Sequence, residues 1–321
     1  VWVWFGLVVA HFTLQGLIAW AVLRGSDWLA WLLVLPLAHV MHGHLLAFHE
    51  AAHATLCPRR FWNELFGTVV GIHSFMSLAL FRHVHTQHHV FLTSERDEEL
   101  WPFVAPSMPR WQRVGIALLE LSLGLFYTPV LFLRSFLRKD TTIRDPRLRR
   151  RIRLELALAA GFAGAALAAT VHYDAWKVLL FAYLLPALLA GNLQTARKFI
   201  EHMGLTGTTI LGVTRSIVPR SRLGRWMARS MFNISYHGVH HRYARLHASA
   251  LPEFEEMLRP DGDGELPPFS SYRQALADML RSLSNPRIGV QWQADAPTGR
   301  VRIGEPRRSR SSPRAHCDGI S

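Results

Sequence analysis

Four apolar runs arranged as two close pairs restrict this chain more than any other feature. Val1–Leu23 and Trp28–Phe48 contain no Asp, Glu, Lys or Arg and are parted only by Arg24-Gly25-Ser26-Asp27. At about 1.5 Å of rise per residue each reaches across roughly 30 Å of hydrocarbon. Leu154–Val171 and Trp176–Ala196 repeat the arrangement across His172-Tyr173-Asp174-Ala175. Links this short permit only tight hairpins. A backbone in lipid must satisfy its own polar groups, which selects helices. The expected fold class is therefore an all-α integral membrane protein with two transmembrane helical hairpins. Its four spans fall at about 1–23, 28–48, 154–171 and 176–196. The first run is longer than the core of a cleavable signal, and no small-residue cleavage site follows it. Trp28, Trp31 and Trp176 near the span ends suit an interfacial belt.

Two further apolar segments, Phe61–Phe81 and Val114–Leu133, need a different reading. Arg134–Arg153 is densely basic, and basic loops stay on the cytoplasmic side. If that loop and the segment after the first hairpin share a side, Val114–Leu133 cannot cross once. Both segments are expected to lie in, or dip into, the cytoplasmic leaflet. From Arg197 the chain turns polar, and a cytoplasmic helical cap is expected over about 197–290. This gives a membrane domain over 1–290 and a basic tail over 291–321, rich in Arg, Ser, Pro and Gly and expected to be disordered.

Composition removes other classes. Only 18% of the 321 residues are charged, against about 25% for soluble domains. Two cysteines, Cys57 and Cys317, can neither staple a secreted module nor hold a Cys-ligated iron–sulfur cluster. The net charge of +13 is concentrated in Arg134–Arg153 and the tail, where anionic headgroups account for it. No base-reading fold accompanies it, so nucleic acid is not an expected partner.

The 18 histidines carry the functional signal because they are clustered. His49-Glu50-Ala51-Ala52-His53 ends the second span, His85-Thr86-Gln87-His88-His89 follows the first embedded segment, and His237-Gly238-Val239-His240-His241 lies beyond the last span. Helical spacings of three and four place side chains on one face. HxxxH thus offers two imidazoles to one point, and HxxHH offers up to three. Neutral imidazole ligates iron, zinc, copper and nickel.

HEAAH also satisfies HExxH, in which two histidines hold zinc and the glutamate is the general base of a metalloprotease. An intramembrane zinc protease is thus the rival from another enzyme class. Ligand number separates the two. Eight clustered histidines exceed the three protein ligands of a catalytic zinc, leave both HxxHH clusters idle in a protease, and suit two metals of higher coordination number. A metal transporter would need ligands along a path near the midplane, whereas these clusters gather at span ends.

HEAAH, RHVHTQHH and NISYHGVHH, in this order around two transmembrane hairpins, resemble the three histidine boxes of the membrane fatty acid desaturase superfamily. The resemblance extends from about Ala30 to Leu251. Arg197-Lys198-Phe199-Ile200-Glu201-His202 is similar to the R-x-x-x-E-H element at the end of that superfamily's last span, and Asn233 precedes the third box. The resemblance implies two iron ions held by His49, His53, His85, His88, His89, His202, His237, His240 and His241. Asn233, Glu50 and Glu201 would support ligands from behind. It further implies an O2-dependent oxidoreductase that introduces a double bond into the acyl chain of a lipid. A carotenoid or alkyl-chain hydroxylase or ketolase of the same superfamily is the alternative. The short HxxxH first box departs from the HxxxxH form of acyl-CoA desaturases and leaves lipid-linked or carrier-linked chains open.

The chemistry suits a metal, because an alkyl C–H bond offers no acidic proton and no leaving group to side-chain acid–base catalysis. With no electron-carrying module in the chain, a separate donor of ferredoxin, rubredoxin or cytochrome type is expected to dock on the basic cytoplasmic face. His39, His42 and His44 are expected to bond neighbouring helices or line a polar interior. His11, His73, His83, His172, His247 and His316 are given no role.

Overall fold

The computed structural model describes residues 2–293. Its order begins with α1 (Trp2–Leu23) and α2 (Asp27–Ala52), followed by the shorter α3 (Arg60–His73) and α4 (Leu78–Val90). Then come α5 (Arg110–Leu137), α6 (Pro146–His172) and α7 (Trp176–His202). After α7 the chain forms short helices, α8 (Arg222–Ser230), α9 (His237–Arg242) and α10 (Tyr272–Leu280), joined by long loops.

Five of these helices (α1, α2, α5, α6 and α7) are long and apolar enough to cross a membrane, and α3 with α4 forms a further pair bent by 100°. Along α1, Trp2, Phe5, Phe12, Leu17 and Trp20 stand exposed, as a lipid-facing helix requires. The α1–α2 link is as tight as its length demands, with Gly25 at φ 71° closing the turn. Lipid gives no hydrophobic drive between helices, so close packing carries the association. Val34, Leu37 and Met41 of α2 accordingly meet the small residues Ala182, Ala187 and Ala190 of α7.

Two elements differ from simple spans. The first, α3–α4, forms a V whose apex is Ser74-Phe75-Met76-Ser77. Ser77 caps α4 by accepting from Leu80 N at 3.1 Å, while buried Glu155 of α6 accepts from Ser77 Oγ at 2.6 Å and Ala79 N at 2.9 Å. The second is α5, which breaks at Leu123 (φ −130°, ψ 35°). Gly124 follows, and a Cβ there would meet Gly191 O of α7 at 2.5 Å, so glycine is required for the close approach. Both arms of α5 fasten to one loop, residues 91–109. Arg113 of the first arm bonds Met108 O, and Arg134 of the second donates to Glu98 Oε2 at 2.7 Å. Arg138 pairs with the same Glu98.

Three boundaries differ from expectation. The basic run does not remain a loop to Arg153. Asp145 accepts from Arg147 N at 2.9 Å and Pro146 opens the first turn, so α6 starts seven residues or more before the apolar stretch. After His202 the described residues hold only short helices joined by loops. The folded part also extends past the expected end at 290. Gln291 donates to Val104 O at 2.8 Å and Trp292 Nε1 to Phe103 O at 2.9 Å. The rest of the expected tail lies outside the described residues.

Candidate metal centre

Each histidine box is a helix face delivered to one place. His49 and the C-cap His53 come from the last turn of α2, His85, His88 and His89 from the last turns of α4, and His202 ends α7. His237, His240 and His241 occupy α9, a helix of only six residues. Asn233 sits at φ 52° just before α9, and its Nδ2 donates to Ala248 O at 2.9 Å.

The nine histidines form two groups. His49, His53, His85, His89 and His240 present ring nitrogens that all lie within 4.8 Å of one another. His88, His202 and His241 make a second set, and Glu201, His202 and His237 a third that shares His202 with it. In the first group Nε2 of His85 lies 3.0 Å from Nε2 of His53 and 3.2 Å from Nε2 of His89. Across the second and third sets, which together make the other group, Nε2 of His237 lies 2.9 Å from that of His202 and 3.0 Å from that of His241. Two imidazole nitrogens at about 2.1 Å from one metal and at right angles are roughly 3.0 Å apart. The spacing therefore fits rings aimed at a common ion better than rings packed for shape. Nδ1 of His89, His237 and His241 is buried without a hydrogen-bond partner among the described residues. Burial, reinforced by neighbouring rings, holds His237, His240 and His241 well below the usual histidine range, so they stay neutral and able to ligate.

Carboxylates and a carbonyl orient several rings from behind. His88 Nδ1 lies 2.8 Å from Asp97 Oδ2, His85 Nδ1 lies 2.7 Å from Glu99 Oε2, and His202 Nδ1 lies 3.0 Å from Val213 O. A hydrogen bond of this kind fixes which nitrogen faces the metal. Asp97 and Glu99, which bond candidate ligand rings, are site residues that the sequence reading misses; the acidic run Asp97-Glu98-Glu99 just after the second box was the available signal. Glu201 is held by Arg197 at 2.5 Å, and its Oε2 lies 3.5 Å from His237 Nε2. Glu50 accepts from Thr55 Oγ1 at 2.7 Å and lies 3.4 Å from His49 Nδ1. Asn233 touches no ligand ring through its hydrogen bonds. Its side chain pins the 248 loop instead, a role that residue spacing could not distinguish from ligand support.

The neighbouring histidines bond helices together. His42 reaches Gln194 Oε1 of α7 at 3.2 Å, and His39 reaches Ser230 Oγ of α8 at 3.0 Å. Beside the centre runs an apolar slot between α2, α5 and α7, lined by Met41, Leu45, Phe48, Phe81, Leu125 and Ala187 among others. Phe81 separates slot from metal ligands and stacks on the His85 ring, centroids 5.1 Å apart at 9°.

Helices of membrane length and converging histidine clusters able to hold metal define the class: a membrane protein with a candidate metal centre. A family model described as fatty acid desaturase matches residues 26–273, and the chain belongs to that family. It is an integral membrane oxidoreductase with histidine clusters able to bind metal. No curated protein matches the chain.

Proposed function

We propose that this chain is a membrane-bound, O2-dependent desaturase that introduces a double bond into the acyl chain of a lipid. The observation that carries the reading is the convergence of imidazoles from three boxes next to an apolar slot, whose lining residue Phe81 stacks on His85. Two iron ions would be held by His49, His53, His85, His89 and His240 on one side, and by His88, His202, His237 and His241 on the other. When bound, they supply the oxidising power with dioxygen that no side chain possesses. Two hydrogens leave adjacent carbons. With two further electrons and two protons, they reduce one O2 to two waters.

The protein's own part is binding, orientation and exclusion of water. Met41, Leu45, Phe48 and Leu125 hold the chain without polar competition, and Phe81 sets how close it comes to His85. Asp97 and Glu99 fix the tautomers of His88 and His85. A separate ferredoxin, rubredoxin or cytochrome would deliver electrons at the basic face, which we place in the cytoplasm from the Arg134–Arg153 run.

The geometry speaks against the zinc-protease reading of HEAAH. Five imidazoles converge in the first group, more than the three protein ligands of a catalytic zinc, and the Glu50 carboxylate is turned to Thr55. The discriminating experiment is Glu50→Gln in the full chain, expressed in a host whose lipids are analysed. A supporting role predicts a loss of about 10–100-fold, with activity still requiring O2 and reductant. Peptide hydrolysis without O2, abolished by Glu50→Gln, would refute the desaturase reading.

A further inference from the structure

The short helix α8 carries two exposed stripes. Leu223, Trp226 and Met227 are exposed, and spacings of three and four put them on one side of the helix. Arg222, Arg225 and Arg229 occupy the neighbouring side and are exposed as well. Ala228 is the buried residue of α8, so the helix rests on the protein by a narrow edge. Nearby Arg220 pairs with Glu255 at 3.0 Å, whereas Arg222, Arg225 and Arg229 pair with no carboxylate among the described residues.

The seat of α8 says what covers its apolar stripe. The Trp226 ring stacks on that of His39 of α2, centroids 6.3 Å apart at 14°. Leu32 and Leu35 are exposed one and two turns before His39 and share its face of α2. That face belongs to a helix long and apolar enough to span, so Trp226 prolongs a surface already turned to lipid. Ser230 O lies 3.5 Å from where a Cβ on Gly43 would stand. Counted from Asp27, where α2 starts, His39 and Gly43 are roughly 18–24 Å along a helix that crosses about 30 Å of hydrocarbon. This puts α8 in the leaflet nearer the metal centre. An amphipathic helix buries its apolar side there, and long arginine side chains reach up to the headgroups.

Arg225 and Arg229 also line a cavity of about 380 Å³, together with Tyr236, His247 and Ser249. The two arginines are exposed at its rim, while Glu50 is buried on its inner wall and bonded to Thr55. We infer that α8 is an interfacial helix that binds an anionic phospholipid. The phosphate sits on Arg225 and Arg229 at the mouth of the cavity, and the acyl chains lie against Leu223, Trp226 and Met227. Two guanidinium groups one helical turn apart and free of carboxylates suit phosphate oxygens, and the Glu50 carboxylate keeps the anion at the rim. The site is separate from the slot and holds whatever reaction the metal centre performs.

The test uses the full chain in nanodiscs, with Cys57→Ser and Cys317→Ser as background and a bimane fluorophore on Met227→Cys. Phosphatidylcholine and phosphatidylglycerol, each with a nitroxide on its acyl chain, serve as quenchers. Both should quench the bimane, and phosphatidylglycerol should do so at a much lower mole fraction, with the difference reduced by salt. Arg225→Gln should lower that preference about fivefold, and adding Arg229→Gln should bring it close to one. Both side chains are exposed, so the variants keep the fold. No quenching by either lipid would place α8 outside the bilayer and overturn the inference. Equal quenching in the parent protein, or a preference that survives the double variant, would overturn the assignment to these arginines. Loss of the preference in millimolar inorganic phosphate would make this a site for the free anion. Dimers cross-linked through Met227→Cys would make the stripe an interface between copies. Either result overturns the lipid site.

Discussion

Asp97 accepts from Nδ1 of His88 at 2.8 Å while its side chain also receives the backbone N–H groups of Thr93, Glu99 and Leu100. One buried carboxylate thus fixes both a ligand ring and the loop that carries the next supporting acid. Asp97→Asn keeps the shape but lowers ligand basicity and leaves the tautomer of His88 undecided. Iron bound per chain is expected to fall, with affinity reduced about 10–100-fold. Metal analysis after dialysis against a weak chelator checks this, and unchanged iron retention would contradict it.

Gly191 sets how closely α7 and α5 pack. A Cβ there would meet Leu125 N at 2.5 Å and Leu125 Cα at 2.8 Å, both backbone atoms that cannot rotate away. Gly191→Ala should destabilise by about 1–3 kcal/mol. It should also displace Leu125 in the slot wall, seen as a lower Tm together with weaker acyl-chain binding. An unchanged Tm would show that the two helices are free to move apart.

Both arms of α5 end at the 91–109 loop, which makes a definite topology expected. In a background of Cys57→Ser and Cys317→Ser, single cysteines replace the exposed residues Ser107, Lys139 and Asp174. Ser107→Cys and Lys139→Cys should react with an impermeant maleimide from one side of the membrane, and Asp174→Cys from the other. Labelling of positions 107 and 139 from opposite sides would establish α5 as a crossing helix.

How far the sequence led follows from what each feature depends on. The boxes were legible because a helix turns i, i+3 and i+4 into neighbours, so HxxxH and HxxHH point their rings before any fold is known. Four of the five long helices, as two closely linked pairs, were legible from the length of the apolar runs. The break at Leu123 was not, because the apolar run over 114–133 reads as continuous until α7 is seen against Gly124. Asp97 and Glu99 were missed because a loop, with no periodicity, carries them back under their own box. His11, His44 and His73 share no spacing at all, and only the packing of α1, α2 and α3 brings their rings together.

Metal and oxidant decide the central claim in one preparation. Full-length protein purified with reductant should hold two irons per chain. Given O2 and an electron donor, it should form one double bond for each O2 consumed. Loss of the first-group ligand in His240→Ala should abolish that product and lower the iron content. One zinc per chain, or product formed without O2, would contradict the account.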